Sequence, residues 1–222
     1  MNELEVILKK ETAVFGFADM SGLDDLPFSE LDKAVSFAIE IDKDIIKDIS
    51  EGPTLEYVAE YSRINVRLDE IAEELCAVLR MNGFKAEPVA SSKRIDNVEL
   101  KGVFPHKTAA TRAGLGWIGK SAMLINKKLG SRLRFATVFT DAPLECAEPI
   151  EKSYCGKCSK CQDACPADAI NGNNWIAGKE RSYLFDAHKC EEYKKKHFSV
   201  INDVPAHHIC GICINHCPYS LR

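Results

Sequence analysis

The stretch Cys155-Gly-Lys-Cys158-Ser-Lys-Cys161-Gln-Asp-Ala-Cys165-Pro166 decides how this chain is organised. Its first three cysteines are two residues apart, so their thiolates can wrap a tight loop around one iron–sulfur cubane. The fourth cysteine follows after three residues and precedes a proline, and in this spacing it points toward a second cluster. The stretch therefore predicts a metal-binding module that requires a second set of cysteines.

That second set is Cys210-Gly-Ile-Cys213-Ile-Asn-His-Cys217-Pro218, with Cys190 upstream. In a two-cluster arrangement like that of bacterial ferredoxins, the last cysteine of each run ligates the cluster of the other run. Two 4Fe–4S clusters need eight thiolates, and the two sets supply eight. The sequence therefore predicts cluster 1 on Cys155, Cys158, Cys161 and Cys217. It predicts cluster 2 on Cys165, Cys190, Cys210 and Cys213.

Zinc and disulfide bonds are the alternatives for these cysteines. Structural zinc takes four ligands, typically in two pairs, which fits these runs poorly. Disulfides form in oxidising compartments, whereas the start Met1-Asn-Glu-Leu-Glu-Val lacks the features of a signal peptide. We therefore expect a cytoplasmic protein, without a membrane span because no apolar run approaches roughly 20 residues. We expect His207, His208 and His216 to lie outside the ligand set.

The residues before the cysteines predict an α/β domain over 1–145, followed by the double-cluster domain over 146–222. Periodicity and β-branched residues predict strands at 12–18, 34–41, 84–90 and 133–140. Thr54 and Asn82-Gly83 mark the start and end of a long helix whose buried stripe includes Leu68 and Leu75. Hydrophobic residues make up 45% and charged residues 28% of the chain, which excludes wholesale disorder.

The charge balance argues against a clamp for nucleic acid. The first 150 residues hold 19 Lys and Arg against 25 Asp and Glu, and the remaining 72 hold 10 against 8. Binding of nucleic acid depends mainly on neutralising phosphates with basic side chains. We therefore do not expect nucleic acid as a partner.

A glycine-rich stretch, Gly114-Leu-Gly-Trp-Ile-Gly119-Lys120-Ser121, matches the phosphate-binding loop of nucleotide triphosphatases. That loop requires a strand before it and a helix after it, whereas here a helix is predicted over 106–113 and a strand over 122–126. The glycines leave backbone accessible to a large or anionic group. We predict cofactor or substrate binding by Gly114, Gly116, Trp117, Ile118, Gly119 and Lys120, called the glycine loop below. The alternative is a tight turn that packs Trp117 against the cluster domain.

The glycine loop, Leu124-Ile-Asn126, Phe139-Thr-Asp-Ala-Pro-Leu144 and the cysteine runs resemble epoxyqueuosine reductase, a family related to the reductive dehalogenases. The resemblance is dense from about residue 103 onward. It implies a cobalamin-binding α/β body of nitroreductase-like character fused to a bacterial-ferredoxin-like domain with two 4Fe–4S clusters. In such enzymes the clusters pass single electrons to a corrinoid cobalt. The family's acidic residue before the glycine loop has no counterpart here, where Leu100-Lys-Gly-Val-Phe-Pro-His106 stands.

Two functions follow from these observations. The first is an iron–sulfur oxidoreductase that passes single electrons to cobalamin or to a small substrate in the α/β domain. Reduced ferredoxin or flavodoxin would be its electron donor, and Glu99 and His106 are candidate proton donors. The second is an electron-transfer protein that docks a redox partner without catalysis of its own. Retention of cobalamin distinguishes the two functions.

Overall fold

The computed structural model describes residues 2–24, 26–206 and 209–222. The chain forms two compact units. The first, called the sheet unit, comprises Met1–Glu40, Ile64–Leu115 and Arg134–Ile150. The second, called the cysteine unit, comprises Ile41–Arg63, Gly116–Leu133 and Glu151–Arg222. Within the described ranges no helix is long and apolar enough to cross a membrane.

Short elements dominate the fold, apart from one long helix. The helices are α1 (Asn2–Glu11), α2 (Lys43–Lys47), α3 (Leu55–Met81), α4 (His106–Arg112), α5 (Lys160–Asp163), α6 (Ala187–His197) and α7 (Ile212–Asn215), with a 3₁₀ turn at Arg181–Tyr183. The strands are β1 (Val14–Asp19), β2 (Lys33–Glu40), β3 (Ala86–Val89), β4 (Arg94–Asp96), β5 (Lys101–Gly102), β6 (Trp117–Ile118), β7 (Leu124–Ile125), β8 (Leu133–Thr140), β9 (Val200–Ile201) and β10 (Val204–Pro205).

The sheet unit is built on a four-stranded sheet of order β1-β2-β8-β3. β1 pairs antiparallel with β2, with Gly16 opposite Ser36, and β3 pairs antiparallel with β8. These are the four predicted strands, and β8 has both predicted ends. The predicted mixed α/β class is therefore confirmed.

Helix α3 begins and ends where the sequence predicted. The Thr54 hydroxyl accepts a hydrogen bond from the Tyr57 N–H at 3.2 Å, which satisfies one free donor of the first turn. Gly83 follows the last turn with φ +85°, the left-handed conformation that glycine adopts readily. The predicted stripe is buried, with Leu68 and Leu75 fully inaccessible. The second half of α3 thus supplies the sheet unit with core side chains.

The cysteine unit contains two segments that the sequence did not assign to it, residues 41–63 and 116–133. Residues 41–63 brace the second cysteine run, because the Asn215 side-chain amide donates to the carbonyl of Ile46 at 2.7 Å. The second segment holds the end of the chain, since Arg132 Nε donates to the Ser220 carbonyl at 2.6 Å. Each compact unit is therefore made of three separate segments of the chain. The predicted boundary between residues 145 and 146 stays a prediction about function.

Candidate metal centre

The four cysteines predicted for cluster 1 come together in the cysteine unit. Cys161 lies on α5, and the loop before it carries Cys155 and Cys158. The backbone N–H of Cys158 donates to the carbonyl of Cys155 at 3.1 Å. Burial, and then the neighbouring thiols of Cys155, Cys217 and Cys158, raise the pKa of Cys161 to about 11. The neighbours that act on Cys161 are thus the other members of its predicted set.

The four cysteines predicted for cluster 2 also come together. Burial raises the pKa of Cys190, on α6, to about 11, and Cys210 and Cys165 add to that rise. Cys213, on α7, is raised well above its usual pKa by burial and then by Cys210 and Cys190, followed by Cys161 and Cys165. The last cysteine of the first run therefore faces the second set, as the crossover spacing predicts.

The surroundings of these thiols suit thiolates bound to iron. Ala169 donates its N–H to Cys165 Sγ at 3.5 Å. Hydrogen bonds from Tyr219 and Ser220 lower the pKa of Cys217 against the larger opposing effect of burial. Burial raises the pKa of Cys161, Cys190, Cys210, Cys213 and Cys217, so binding of a cluster must displace protons from these thiols. The donor set, eight thiols in two groups of four, fits two 4Fe–4S clusters.

All ten cysteines are free thiols. Among the described residues no group of three or more His, Cys, Asp or Glu side chains is arranged to hold a single metal ion. A cubane places each thiolate on a different iron, so its ligands stand further apart than those of one ion. Cys76 is fully buried, and its burial raises its pKa to about 12. Cys146 is partly buried, and its Sγ contacts the Leu144 carbonyl at 3.5 Å.

The ring of His216 is bonded to the backbone of its own helix. The Nδ1 of His216 lies 3.0 Å from the carbonyl of Ile212, one turn earlier in α7 and its cap. His207 and His208 lie outside the described residues.

From Gly116 onward the glycine loop belongs to the cysteine unit. β6 pairs with β7 as a hairpin, so a strand and not a helix follows the loop, which differs from a phosphate-binding loop. A Cβ on Gly119 would overlap the Ile125 side chain and would lie 3.6 Å from Cys155 Sγ. The loop backbone therefore lies against a predicted ligand of cluster 1.

Trp117 anchors the glycine loop within the cysteine unit. Its ring is 5% exposed and meets Tyr154 and Tyr219 edge to face, with centroids 5.3 and 5.2 Å apart. These tyrosines adjoin the predicted ligands: Tyr154 precedes Cys155, and Tyr219 follows Cys217-Pro218. Trp117 therefore packs against residues that adjoin the predicted ligands, as in the alternative interpretation of the loop. Cofactor binding by the loop stays a prediction.

The two candidate proton donors lie in different surroundings. His106 begins α4, and its Nε2 lies 3.2 Å from the Ala90 carbonyl while its Nδ1 lies 2.9 Å from the Thr137 hydroxyl. Because a carbonyl only accepts, Nε2 carries the proton and Nδ1 accepts from Thr137. Burial lowers the pKa of His106 to about 4. Glu99 is exposed in the turn between β4 and β5, with a carboxylate oxygen 3.6 Å from Lys101 Nζ.

Comparison with known proteins supports the cluster module directly. Residues 154–220 match the protein family described as "4Fe-4S double cluster binding domain". An epoxyqueuosine reductase from Cyclobacterium marinum is 39% identical over 115 residues, which are 50% of this chain and 35% of that protein. The chain thus spans about a third of the length of that relative.

Solved structures share the fold of nearly the whole chain. One, described as a reductive dehalogenase structure that suggests a mechanism for B12-dependent dehalogenation, has a TM-score of 0.74 at 20% identity and covers 97% of this chain and 31% of its own. An epoxyqueuosine reductase with an epoxyqueuosine-modified tRNA-Tyr stem loop has a TM-score of 0.67 at 19% identity, over 99% and 64%. The chain is therefore similar to epoxyqueuosine reductases in sequence, shares its fold with them and with reductive dehalogenases, and carries a double 4Fe–4S cluster binding domain.

Proposed function

We propose that the chain is an iron–sulfur oxidoreductase that passes single electrons from two 4Fe–4S clusters to an acceptor near the glycine loop. The observation that carries the proposal is the meeting of eight cysteines as two crossed sets in one unit. We assign Cys155, Cys158, Cys161 and Cys217 to cluster 1, and Cys165, Cys190, Cys210 and Cys213 to cluster 2. Each electron that leaves is replaced by one from an external donor such as reduced ferredoxin or flavodoxin.

The sheet unit supports an enzyme rather than a simple electron carrier. A double-cluster module needs fewer than 80 residues, whereas the sheet unit adds a four-stranded sheet and most of α3. We propose that this α/β body, which the resemblance describes as nitroreductase-like, takes part in binding the acceptor. In functional terms we keep the division into residues 1–145 for acceptor binding and 146–222 for the clusters.

Cobalamin is the acceptor that we propose, on the basis of the fold shared with the B12-dependent dehalogenase. When bound it supplies a cobalt that takes up one electron at a time. The glycine loop is the proposed contact, since its backbone adjoins Cys155 and a Cβ on Gly116 would overlap the Ile125 carbonyl. Of the two candidate proton donors we retain Glu99, because both ring nitrogens of His106 are already bonded.

The substrate class includes nucleic acid as well as small molecules. The expectation that nucleic acid is not a partner disagrees with the comparisons, because an epoxyqueuosine reductase of the same fold was solved with a tRNA stem loop. Net charge does not decide this point, since a few well-placed basic side chains can hold a stem loop in an acidic protein. Both a nucleic acid and a small molecule are therefore tested as substrates.

The test is anaerobic reconstitution with iron and sulfide, followed by hydroxocobalamin and desalting. Retained corrin absorbance, with about eight iron atoms per chain as the eight-thiolate count requires, supports the proposal. The Gly119→Val variant should lose the corrin and keep its iron, whereas equal loss of iron would favour the packing role, since its Cβ overlaps Ile125 beside Cys155. Lys127→Val, at an exposed position of the same unit, is the control. Binding of a tRNA stem loop is measured in parallel. Full iron with no retained corrin and no reduced substrate would favour the electron carrier.

A further inference from the structure

Trp117 has a buried hydrogen-bond donor without an acceptor. Its Nε1 is inaccessible and has no partner among the described residues. A buried indole N–H usually finds an acceptor, and leaving one unsatisfied costs about 1–3 kcal/mol. The ring is fixed on two sides by Tyr154 and Tyr219, so it has little freedom to turn the N–H toward water. The geometry points to an acceptor that belongs beside this ring.

Lys120 brings a positive charge to the same loop. The residue is 7% exposed, and because its Nζ is not among the buried atoms that lack a partner, the ammonium keeps contact with solvent. Lysine commonly buries its aliphatic stem in this way while its charged end stays hydrated. Lys120 follows Gly119, whose Cβ position is 3.6 Å from Cys155 Sγ. The positive charge of Lys120 therefore belongs to a loop that adjoins a predicted ligand of cluster 1.

We propose that both groups serve cluster 1: Trp117 Nε1–H donates to a sulfur of the cluster, and Lys120 supplies a neighbouring positive charge, so that together they raise its reduction potential. The proposal rests on the proposed assignment of Cys155, Cys158, Cys161 and Cys217. A 4Fe–4S cluster with four thiolates is an anion with sulfur acceptors. Reduction adds another negative charge, which a hydrogen-bond donor and a cation stabilise.

Cluster 2 has a different electrostatic environment. Lys194 lies on α6, one turn after the predicted ligand Cys190. Lys194 is already paired with the buried carboxylate of Glu191 at 2.8 Å, so the pair adds little net charge. This pair therefore raises the potential of cluster 2 less than an unpaired lysine would.

Potentiometric titration followed by electron paramagnetic resonance tests this inference on the reconstituted protein. In Lys120→Met the ratio of reduced to oxidised cluster 1, measured at the wild-type midpoint, should fall about tenfold, which is the effect of a 1.4 kcal/mol loss. Lys120→Arg should stay close to the wild type. Trp117→Phe should lower the same ratio, and cluster 2 should not change in any of the three. The matched control is Lys157→Met, which removes an exposed lysine between Cys155 and Cys158.

A second measurement observes Trp117 itself in the wild-type protein. The chain has two tryptophans, so ¹⁵N-indole labelling gives two indole N–H signals, and Trp175→Phe assigns them. The Trp117 signal should be shifted or broadened by the paramagnetic cluster in the holo protein. An unshifted Trp117 signal, or unchanged potentials in Lys120→Met and Trp117→Phe at full iron content, would overturn the inference. Iron content near zero would instead count against the proposed function.

Discussion

The sheet unit and the segment of the cysteine unit after residue 150 differ in what holds them together. In the sheet unit large apolar side chains are completely buried, among them Leu8, Phe37 and Leu68. After residue 150, the described hydrophobic residues that are less than 2% exposed are only Ala169 and Ala206. Burial of apolar area is the main favourable contribution to folding, so the segment after residue 150 has less of what stabilises the sheet unit, although Ile170 and Leu184 are buried there. Metal ligation is expected to supply much of its remaining stability.

Removal of the iron should produce the largest difference between the two regions. After anaerobic chelation, hydrogen exchange should become fast over residues 151–222, because ligation of the clusters is coupled to folding of their loops. Residues 64–81 of α3 should keep their protection, since their stripe packs in the apolar core. Hydrogen exchange with mass spectrometry measures both regions in one sample. Restoring iron and sulfide is the control, and a uniform loss of protection would contradict the comparison.

Within the cysteine unit, the crossover between the two runs can be tested by a pair of variants. Cys165→Ser should halve the iron content, to about four atoms per chain. It should also expose residues around Cys190 and Cys210 to exchange, because Cys165 lies with them and not with its neighbours in sequence. Cys161→Ser should halve the iron as well, but with the loss of protection around Cys155.

The two cysteines outside both sets provide the controls for that pair. Cys76→Ser and Cys146→Ser should keep the full iron content. If Cys165→Ser instead loosened the loop around Cys155, each run would bind its own cluster and the crossed assignment would be wrong.

A smaller effect separates the two cysteine loops from each other. Gly156 and Gly211 both have positive φ, +57° and +91°, so alanine strains the backbone at either position by about 1–3 kcal/mol. Only at Gly211 would the Cβ also overlap Ile49 and approach the Tyr57 ring to 3.1 Å, whereas at Gly156 it meets nothing within 4 Å. Gly211→Ala should therefore release iron from cluster 2 faster than Gly156→Ala releases it from cluster 1. Equal rates of iron release to a chelator would show that residues 41–63 do not brace the second run.

Local sequence signals predicted the helices and strands whose ends are set by their own residues. The four strands of the sheet and both ends of α3 followed from alternation, from the Thr54 cap and from Gly83. Helix α6 was not predicted, because its lysine-rich sequence has no apolar stripe, although Asp186 accepts from the N–H groups of His188 and Lys189 as a helix cap does. A capping aspartate ahead of Cys190 was the available signal.

Non-local packing explains what the sequence did not reveal about the site. The thiol spacing alone gave the two sets of cysteines, since chemistry fixes that spacing. The alternative interpretation of the glycine loop had Trp117 packed against the cluster domain, but no local pattern names its partners Tyr154 and Tyr219, which come from segments far apart in sequence. The same holds for the bracing of the second cysteine run by residues 41–63, which placed that segment in the cysteine unit.

A pH-dependent loss of stability is expected in the sheet unit. His106 has a pKa of about 4 in the folded protein, lowered by burial, against an ordinary value of about 6.5. The unfolded chain therefore binds a proton at His106 as the pH falls below about 6.5, while the folded chain does not. Stability supplied by the neutral ring is present above about pH 6.5 and is lost between pH 6.5 and 4, at most about 3 kcal/mol for the full shift. Imidazole NMR should give a midpoint near 4 for the signal that is missing from His106→Asn. The urea midpoint of the wild type should fall more steeply over this range than that of His106→Asn. A midpoint near 6.5 would mean that the ring is open to water, and the hydrogen bonds to Ala90 and Thr137 would then not hold it neutral.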